Sequence, residues 1–324
     1  MKTLKIGLAG CGTVGSAVVW QLCAQRALFE ALDIELEWIG IWVKNTDKPR
    51  HLPGAIPLFE DPRFLEEADI LIEAMGGTDE PLRLWLPHLR LGKPVITANK
   101  AVLALHWEEV WPYLLEGQIY FEASVMAGTP VIAALSTVLR GTTPVRLEAT
   151  LNGTCNYILS EMEAGVAYDQ ALKAAQRLGY AEADPSLDVG GSDSAHKLAV
   201  LARLCVDPHF PLDAIEVQGI DRLSRDDVAQ ALASGQKTRL LCTLALEGSV
   251  WKAQVRPTRL DRHHPISKAD SSFNALMFVG QGSGPVLLMG NGAGGEATAS
   301  AIVGDLLSFC MGVPGPRPAL VRRH

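Results

Sequence analysis

The segment Lys5–Leu28, KIGLAGCGTVGSAVVWQLCAQRAL, decides the fold. Lys5–Ala9 is a short apolar run that reads as a buried parallel strand, and the residues from Ser16 to about Leu28 carry a helical pattern. Between them stand Gly10, Cys11, Gly12, Thr13, Val14 and Gly15, a G-x-G-x-x-G in the strand-to-helix setting the pattern needs. Gly10 makes the tight turn, Gly12 lets the backbone approach a pyrophosphate, and Gly15 permits close packing of helix on strand. The helix N-terminus then receives the anion. These six residues are expected to bind a dinucleotide.

Further strands follow at the spacing of repeated βα units. The next, about Glu35 to Val43, runs into Lys44-Asn45-Thr46. An NAD-preferring fold usually carries Asp or Glu there. The basic Lys44, with Lys48 and Arg50 close by, instead predicts pairing with a 2′-phosphate and a preference for NADP(H) over NAD(H). Asp69–Glu73 leads to Met75-Gly76-Gly77-Thr78, and Pro94–Thr97 to Ala98-Asn99-Lys100, with a helical crossover at Leu82–Leu91. Both turns fall at strand C-terminal ends, where open α/β sheets bind ligands. Ile119–Phe121 reads as a fifth strand delivering Glu122. The expectation is a right-handed parallel sheet.

Past Ile132 the pattern changes. A helix is expected near Val131–Leu139, then a strand Val145–Leu151 running into Asn152-Gly153-Thr154-Cys155-Asn156, and a helical segment Tyr157–Glu163. Gly153 and Thr154 at a helix opening suit a carboxylate. The stretch Gly179–Leu201, GYAEADPSLDVGGSDSAHKLAVL, then sets Glu182, Asp184, Asp188 and Asp193 before Lys197. A four-residue step puts Asp193 and Lys197 on one side of a helix whose N-cap is Ser192 or Asp193. Projection at 100° per residue places Lys197 beside Leu201 and Leu204, with His196 and Arg203 on the wet face. Pro185, Gly190 and Gly191 shape the acidic loop, so the cluster reads as a site for a small amino acid. A closing helix is expected over Thr298–Met311.

The 324 residues, 48% hydrophobic and 20% charged, suffice for two domains with sizeable cores. A net charge of −7 lacks the electrostatic footprint of a nucleic-acid or anionic-membrane partner. Six cysteines stand singly without zinc spacing and read as reduced thiols, and no apolar run reaches about 18 residues. These features predict a cytoplasmic protein with a small-molecule substrate. The final Arg322-Arg323-His324 reads as a short charged tail.

Taken in order, LAGCGTVG, VITANKA, EASVMAGTPVI, LNGTCNYIL, LGYAEADPSLDVGGSDSAHKLAVLA and GNGAGGEATASAIVGDLL resemble homoserine dehydrogenases over about residues 4 to 312. The resemblance implies a Rossmann-type α/β dinucleotide-binding domain, residues 1–132 with 298–324, and an α+β substrate-binding and dimerisation domain, residues 133–297. It implies interconversion of L-homoserine and L-aspartate 4-semialdehyde with NAD(P)(H), on the route to threonine and methionine, by a homodimer. Carried over by motif, Lys197 matches the catalytic lysine, Asp193 its carboxylate partner and Lys100 a second active-site lysine. Glu182 and Asp188 match substrate-contacting acids, and Gly76, Lys100, Gly179, Glu182 and Gly294 match positions beside the cofactor. Glu122, the carbonyls of Val125 and Ala127, and Thr129 resemble the family's site for a monovalent cation, Na⁺ or K⁺. The regulatory ACT domain that many members append is expected to be absent. His263, His264 and Cys155 are expected to be structural. The glycine turn and a lysine also leave open a sugar dehydrogenase of like architecture or a non-catalytic NADP-binding sensor.

Overall fold

The computed structural model describes residues 1–319; the expected charged tail lies outside the described residues. The chain forms two compact units, one of Met1–Ala133 with Ala293–Pro318, the other of Ala134–Gly292 with Ala319.

The first unit is built on six strands, β1 (Lys2–Ala9), β2 (Ile34–Trp42), β3 (Leu58–Phe59), β4 (Ile70–Glu73), β5 (Val95–Thr97) and β6 (Ile119–Tyr120). All are parallel, in the order β3-β2-β1-β4-β5-β6. This is a Rossmann sheet, whose order reverses between β1 and β4. Ile6, Leu8, Ile70, Ile72 and Ile96 are fully buried, as continuous apolar runs in a sheet covered on both faces should be. Helix Gly295–Cys310 returns to this unit, where its Ile302, Val303 and Leu306 share a core with Val18, Val19 and Leu22 of helix Thr13–Ala24.

Several boundaries differ from the sequence expectation. The first helix starts at Thr13 rather than Ser16, because Gly12 is its N-cap, and it breaks at Gln25 before a short helix Arg26–Glu30. Helix Val131–Ser136 ends early and is followed by a 3₁₀ turn at Leu139–Gly141. The helix after Asn152 begins at Gly153 instead of Tyr157, since the Asn152 side chain caps it by accepting from Cys155 N.

The second unit carries a six-stranded sheet of β7 (Pro144–Thr150), β8 (Ile215–Val217), β9 (Gln236–Glu247), β10 (Val250–Asp261), β11 (Phe273–Gly280) and β12 (Gly284–Asn291). Its order is β12-β11-β7-β9-β10-β8, antiparallel except for β8 against β10. Helix Ser192–Cys205 is buried along most of its length. Its N-cap is Gly191, at φ 89°, and not Ser192 or Asp193; both of those already have helical geometry. Arg203 also departs from the expected wet face: it is buried, and its Nε donates to Phe210 O at 3.0 Å. The projection assumed one solvated side, which a helix enclosed nearly all round does not have.

Candidate active site

In the first unit the glycine turn has the geometry its sequence requires. Gly10 is left-handed at φ 94°, and a Cβ there would lie 2.6 Å from Ala74 O. A Cβ on Gly15 would lie 2.1 Å from Gly10 O, so only glycine lets the helix close onto the turn. Around the Cβ positions of Gly12, Gly76, Gly179 and Gly294 there is open space. Helix Thr13–Ala24, which also carries Val14, starts without a side-chain cap, so no capping side chain takes up its first amide donors, and the space at Gly12 is open. A pyrophosphate fits such a cradle.

Lys44 follows β2 as expected, but its Nζ pairs with Glu80 Oε2 at 2.7 Å. Glu80 lies in the first turn of helix Asp79–Arg90, and the sequence reading did not foresee it. Lys100 opens helix Lys100–Leu105, capped by Asn99, whose side chain accepts from Val102 N at 3.1 Å.

Glu122 is buried, with Oε1 accepting from Ile132 N at 2.9 Å and Oε2 from Ala133 N at 2.6 Å. Its own amide donates to Asp305 Oδ2 at 3.0 Å. Burial pushes the Glu122 carboxyl up to about 7, with the backbone amides opposing, and pushes Asp305 well above the carboxylate range with help from the neighbouring Glu122 charge. Met126 and Ala127 have positive φ, 59° and 40°, and the buried Thr129 Oγ1 has no hydrogen-bond partner among the described residues. Glu122, Asp305 and the unsatisfied Thr129 hydroxyl offer oxygen donors only, the kind a hard monovalent cation takes, and Val125 and Ala127 lie in the same loop of the chain.

In the second unit the end of β7 and helix Ser192–Cys205 gather the acidic cluster. Lys197, about nine-tenths buried, donates from Nζ to Asp193 Oδ2 and to Leu151 O, both at 2.7 Å. Asn152 joins the carboxylates: its Nδ2 donates to Asp188 Oδ1 at 2.7 Å and to Asp193 Oδ2 at 2.9 Å, while its Oδ1 caps the following helix through Cys155 N at 2.8 Å. Asn152 was not among the expected functional residues, although its place before Gly153 is an N-cap signature. Two contacts, to Asp193 and to Leu151 O, thus hold the amine of Lys197 in this frame.

Gly153 and Thr154 form the first turn of helix Gly153–Glu163, and Thr154 Oγ1 donates to Tyr180 O at 2.6 Å. Glu182 sits on the exposed side of the loop, where its carbonyl accepts from Gln176 Nε2 at 3.1 Å. Asp184 is likewise exposed and caps its own turn through Ser186 N. Cys155 is fully buried, donates to Asp188 O at 3.3 Å, and is pushed well above the usual thiol range by burial and by Asp188. Such a thiol supplies no thiolate, in keeping with a structural role. His264 Nε2 lies 3.4 Å from Glu148 Oε2, and His263 N donates to Asp261 Oδ1 at 2.7 Å.

A family profile described as homoserine dehydrogenase matches residues 130–307, and one described as homoserine dehydrogenase, NAD binding domain, matches residues 10–112. The chain belongs to the homoserine dehydrogenase family. It is 34% identical over 320 residues to homoserine dehydrogenase of Bacillus subtilis, covering 95% of this chain and 73% of the relative. A crystal structure of a homoserine dehydrogenase from Thiobacillus denitrificans superposes with a TM-score of 0.90 at 35% identity, covering 95% of this chain and 73% of that one. A hyperthermophilic archaeal homoserine dehydrogenase, determined in complex with NADPH, superposes with a TM-score of 0.80 at 26% identity over 97% of this chain and all of that one.

The chain is an NAD(P)-dependent oxidoreductase that interconverts L-homoserine and L-aspartate 4-semialdehyde by hydride transfer, a step of amino-acid biosynthesis. Among the described residues, no helix is long and apolar enough to cross a membrane.

Proposed function

We propose that Lys197 is the proton-transfer group of this reaction, and the observation that carries the reading is its bond to Asp193 inside the Asn152-centred carboxylate frame. In the oxidising direction the amine accepts the proton of the substrate hydroxyl; in the reducing direction it donates to the developing alkoxide. Asp193 and Leu151 O hold the amine in place, so little reorganisation accompanies the transfer. Asp188 and Glu182 receive the substrate α-ammonium, and the first amides of helix Gly153–Glu163, at Gly153 and Thr154, receive its carboxylate. A 2-hydroxy acid lacks the ammonium that those carboxylates receive and is the poorer substrate.

The first unit holds the cofactor on Gly10, Cys11, Gly12, Thr13, Val14 and Gly15, with Gly76, Lys100 and Gly294 beside it. The bound nicotinamide supplies or takes up the hydride. NADP(H) is preferred over NAD(H), through Lys44 at the 2′-phosphate; the archaeal relative with NADPH supports this direction. Na⁺ or K⁺ sits at Glu122, Val125, Ala127 and Thr129 in a structural role.

The second unit binds substrate and pairs two copies into a homodimer in the cytoplasm. Leu287 and Met289 of β12 are 42% and 37% exposed and register with Met277 and Ala275 of β11, an apolar stripe suited to a second copy of the same sheet. Initial rates with L-homoserine and each oxidised cofactor test the whole reading. A kcat/KM no higher with NADP⁺ than with NAD⁺ rejects the cofactor preference, and a Glu182→Ala variant with unchanged homoserine KM rejects that residue's contact with substrate.

A further inference from the structure

Glu73 ends β4, next to the point where the strand order reverses, and it is completely buried. A carboxyl group there is costly unless its oxygens are fully engaged. Oε2 accepts from Thr97 Oγ1 at 2.6 Å and Oε1 from Met75 N at 2.7 Å. The connections continue outward. Thr97 Oγ1 in turn accepts from Asn99 N at 2.8 Å, and Asn99 Nδ2 donates to Gly77 O at 2.9 Å. The same Asn99 caps the helix that begins at Lys100. On the other side, Ala74 N donates to Ala9 O at 2.9 Å, and Ala74 O is the atom against which Gly10 turns.

We infer that Glu73 is a positioning residue of the cofactor site, tying the turns at Gly10, Met75–Thr78 and Ala98–Lys100 into one rigid floor. The inference rests on the reading that this unit binds the nicotinamide cofactor along those turns. Glu73 itself touches no substrate or cofactor atom. Its influence passes through Thr97 and Asn99 to Lys100, and through Met75 to the open backbone at Gly76. A merely space-filling role would be met by any apolar residue of similar volume, whereas this network needs an acceptor on each oxygen.

The test is a fluorescence titration of NADPH and NADH onto the unmodified protein, Glu73→Gln and Thr97→Val, with thermal transitions recorded alongside. Glu73→Gln replaces one acceptor by a donor, and Thr97→Val keeps the carboxyl but cuts its link to Asn99. Each variant is expected to raise the cofactor dissociation constant about tenfold, and the double variant little more than the larger single change, because both cut one network. The homoserine KM at saturating cofactor should stay within about twofold. A variant that folds and keeps the cofactor dissociation constant of the unmodified protein overturns the positioning role, whether or not its thermal transition falls. Should Glu73→Gln fail to fold, Thr97→Val decides on the same criterion. Absence of cofactor binding by the unmodified protein would overturn the cofactor reading itself.

Discussion

Lys197 and Asp193 stand one turn apart on the same helix, with Nζ and Oδ2 at 2.7 Å and both side chains about nine-tenths withdrawn from solvent. Such a pair is too buried to be an ordinary surface bridge and too well placed to be incidental. Replacement of Lys197 by Ala should lower turnover by about a hundred- to ten-thousand-fold while cofactor affinity changes little. Stopped-flow measurement of reduced cofactor formation and a binding titration read the two quantities separately. Retention of normal turnover would exclude the proposed proton transfer.

Asn152 combines a helix cap with the frame around Asp188 and Asp193. Asn152→Ala should cost about 1 kcal/mol of stability from the cap alone. Asn152→Asp keeps a capping oxygen but sets a third carboxylate beside two others, so it should retain more stability than the alanine variant yet lose at least as much activity. Denaturant unfolding and kcat/KM on both variants test the separation; parallel losses in stability and activity would reduce Asn152 to a cap.

The exposed Lys44–Glu80 bridge contributes little to stability, about 0 to 1 kcal/mol. On the proposed reading its weight is in recognition, because a 2′-phosphate would compete with Glu80 for the same amine. Lys44→Asp should shift the cofactor ratio toward NAD, and Glu80→Gln should tighten NADPH by about two- to fivefold while leaving NADH unaltered. Competition by 2′,5′-ADP against 5′-AMP at two salt concentrations checks both. Equal responses of the two nucleotides would detach Lys44 from the 2′ position.

Glu122 and Glu73, each raised by burial from 4.5 to about 7, give the fold a signed pH dependence. The stability they contribute is fully present below 4.5 and is lost as pH rises through about 7, because the unfolded chain releases these protons first. Each effect is at most on the order of 3 kcal/mol. Thermal unfolding at pH 5 and pH 8 should therefore show Glu122→Gln losing the part of the alkaline decline that belongs to this site. Potassium or sodium chloride, compared with choline chloride at equal ionic strength, should reduce the decline in the unmodified protein alone. A cation-independent decline would overturn the proposed ion at Glu122.

Much of the first unit was legible in the chain, because a buried parallel strand followed by glycine and a helix is a local pattern. The C-terminal ends of β1, β4 and β5, and with them Gly10, Gly76 and Lys100, fall at the turns expected from that pattern. The two-residue strand β3 carries too little periodicity to be read, and the pairing of β7 with β9 and β11 is a long-range choice that no local pattern expresses. The same distinction holds at the site. The i, i+4 geometry of Asp193 and Lys197 is written in their spacing, whereas the 36- and 41-residue reach of Asn152 to Asp188 and Asp193 is a product of tertiary folding. Glu80 escaped notice for that reason too.

Helix Gly295–Cys310 closes the core that begins with β1, although the whole second unit intervenes in the chain. During synthesis the ribosome therefore delivers the second unit in full before the first receives its last helix. Until then Val18, Val19 and Leu22 lack the Ile302 and Leu306 that finally cover them, and the nascent glycine turn rests on an unfinished hydrophobic layer. The layer under the glycine turn is thus completed only after the whole second unit has been synthesised.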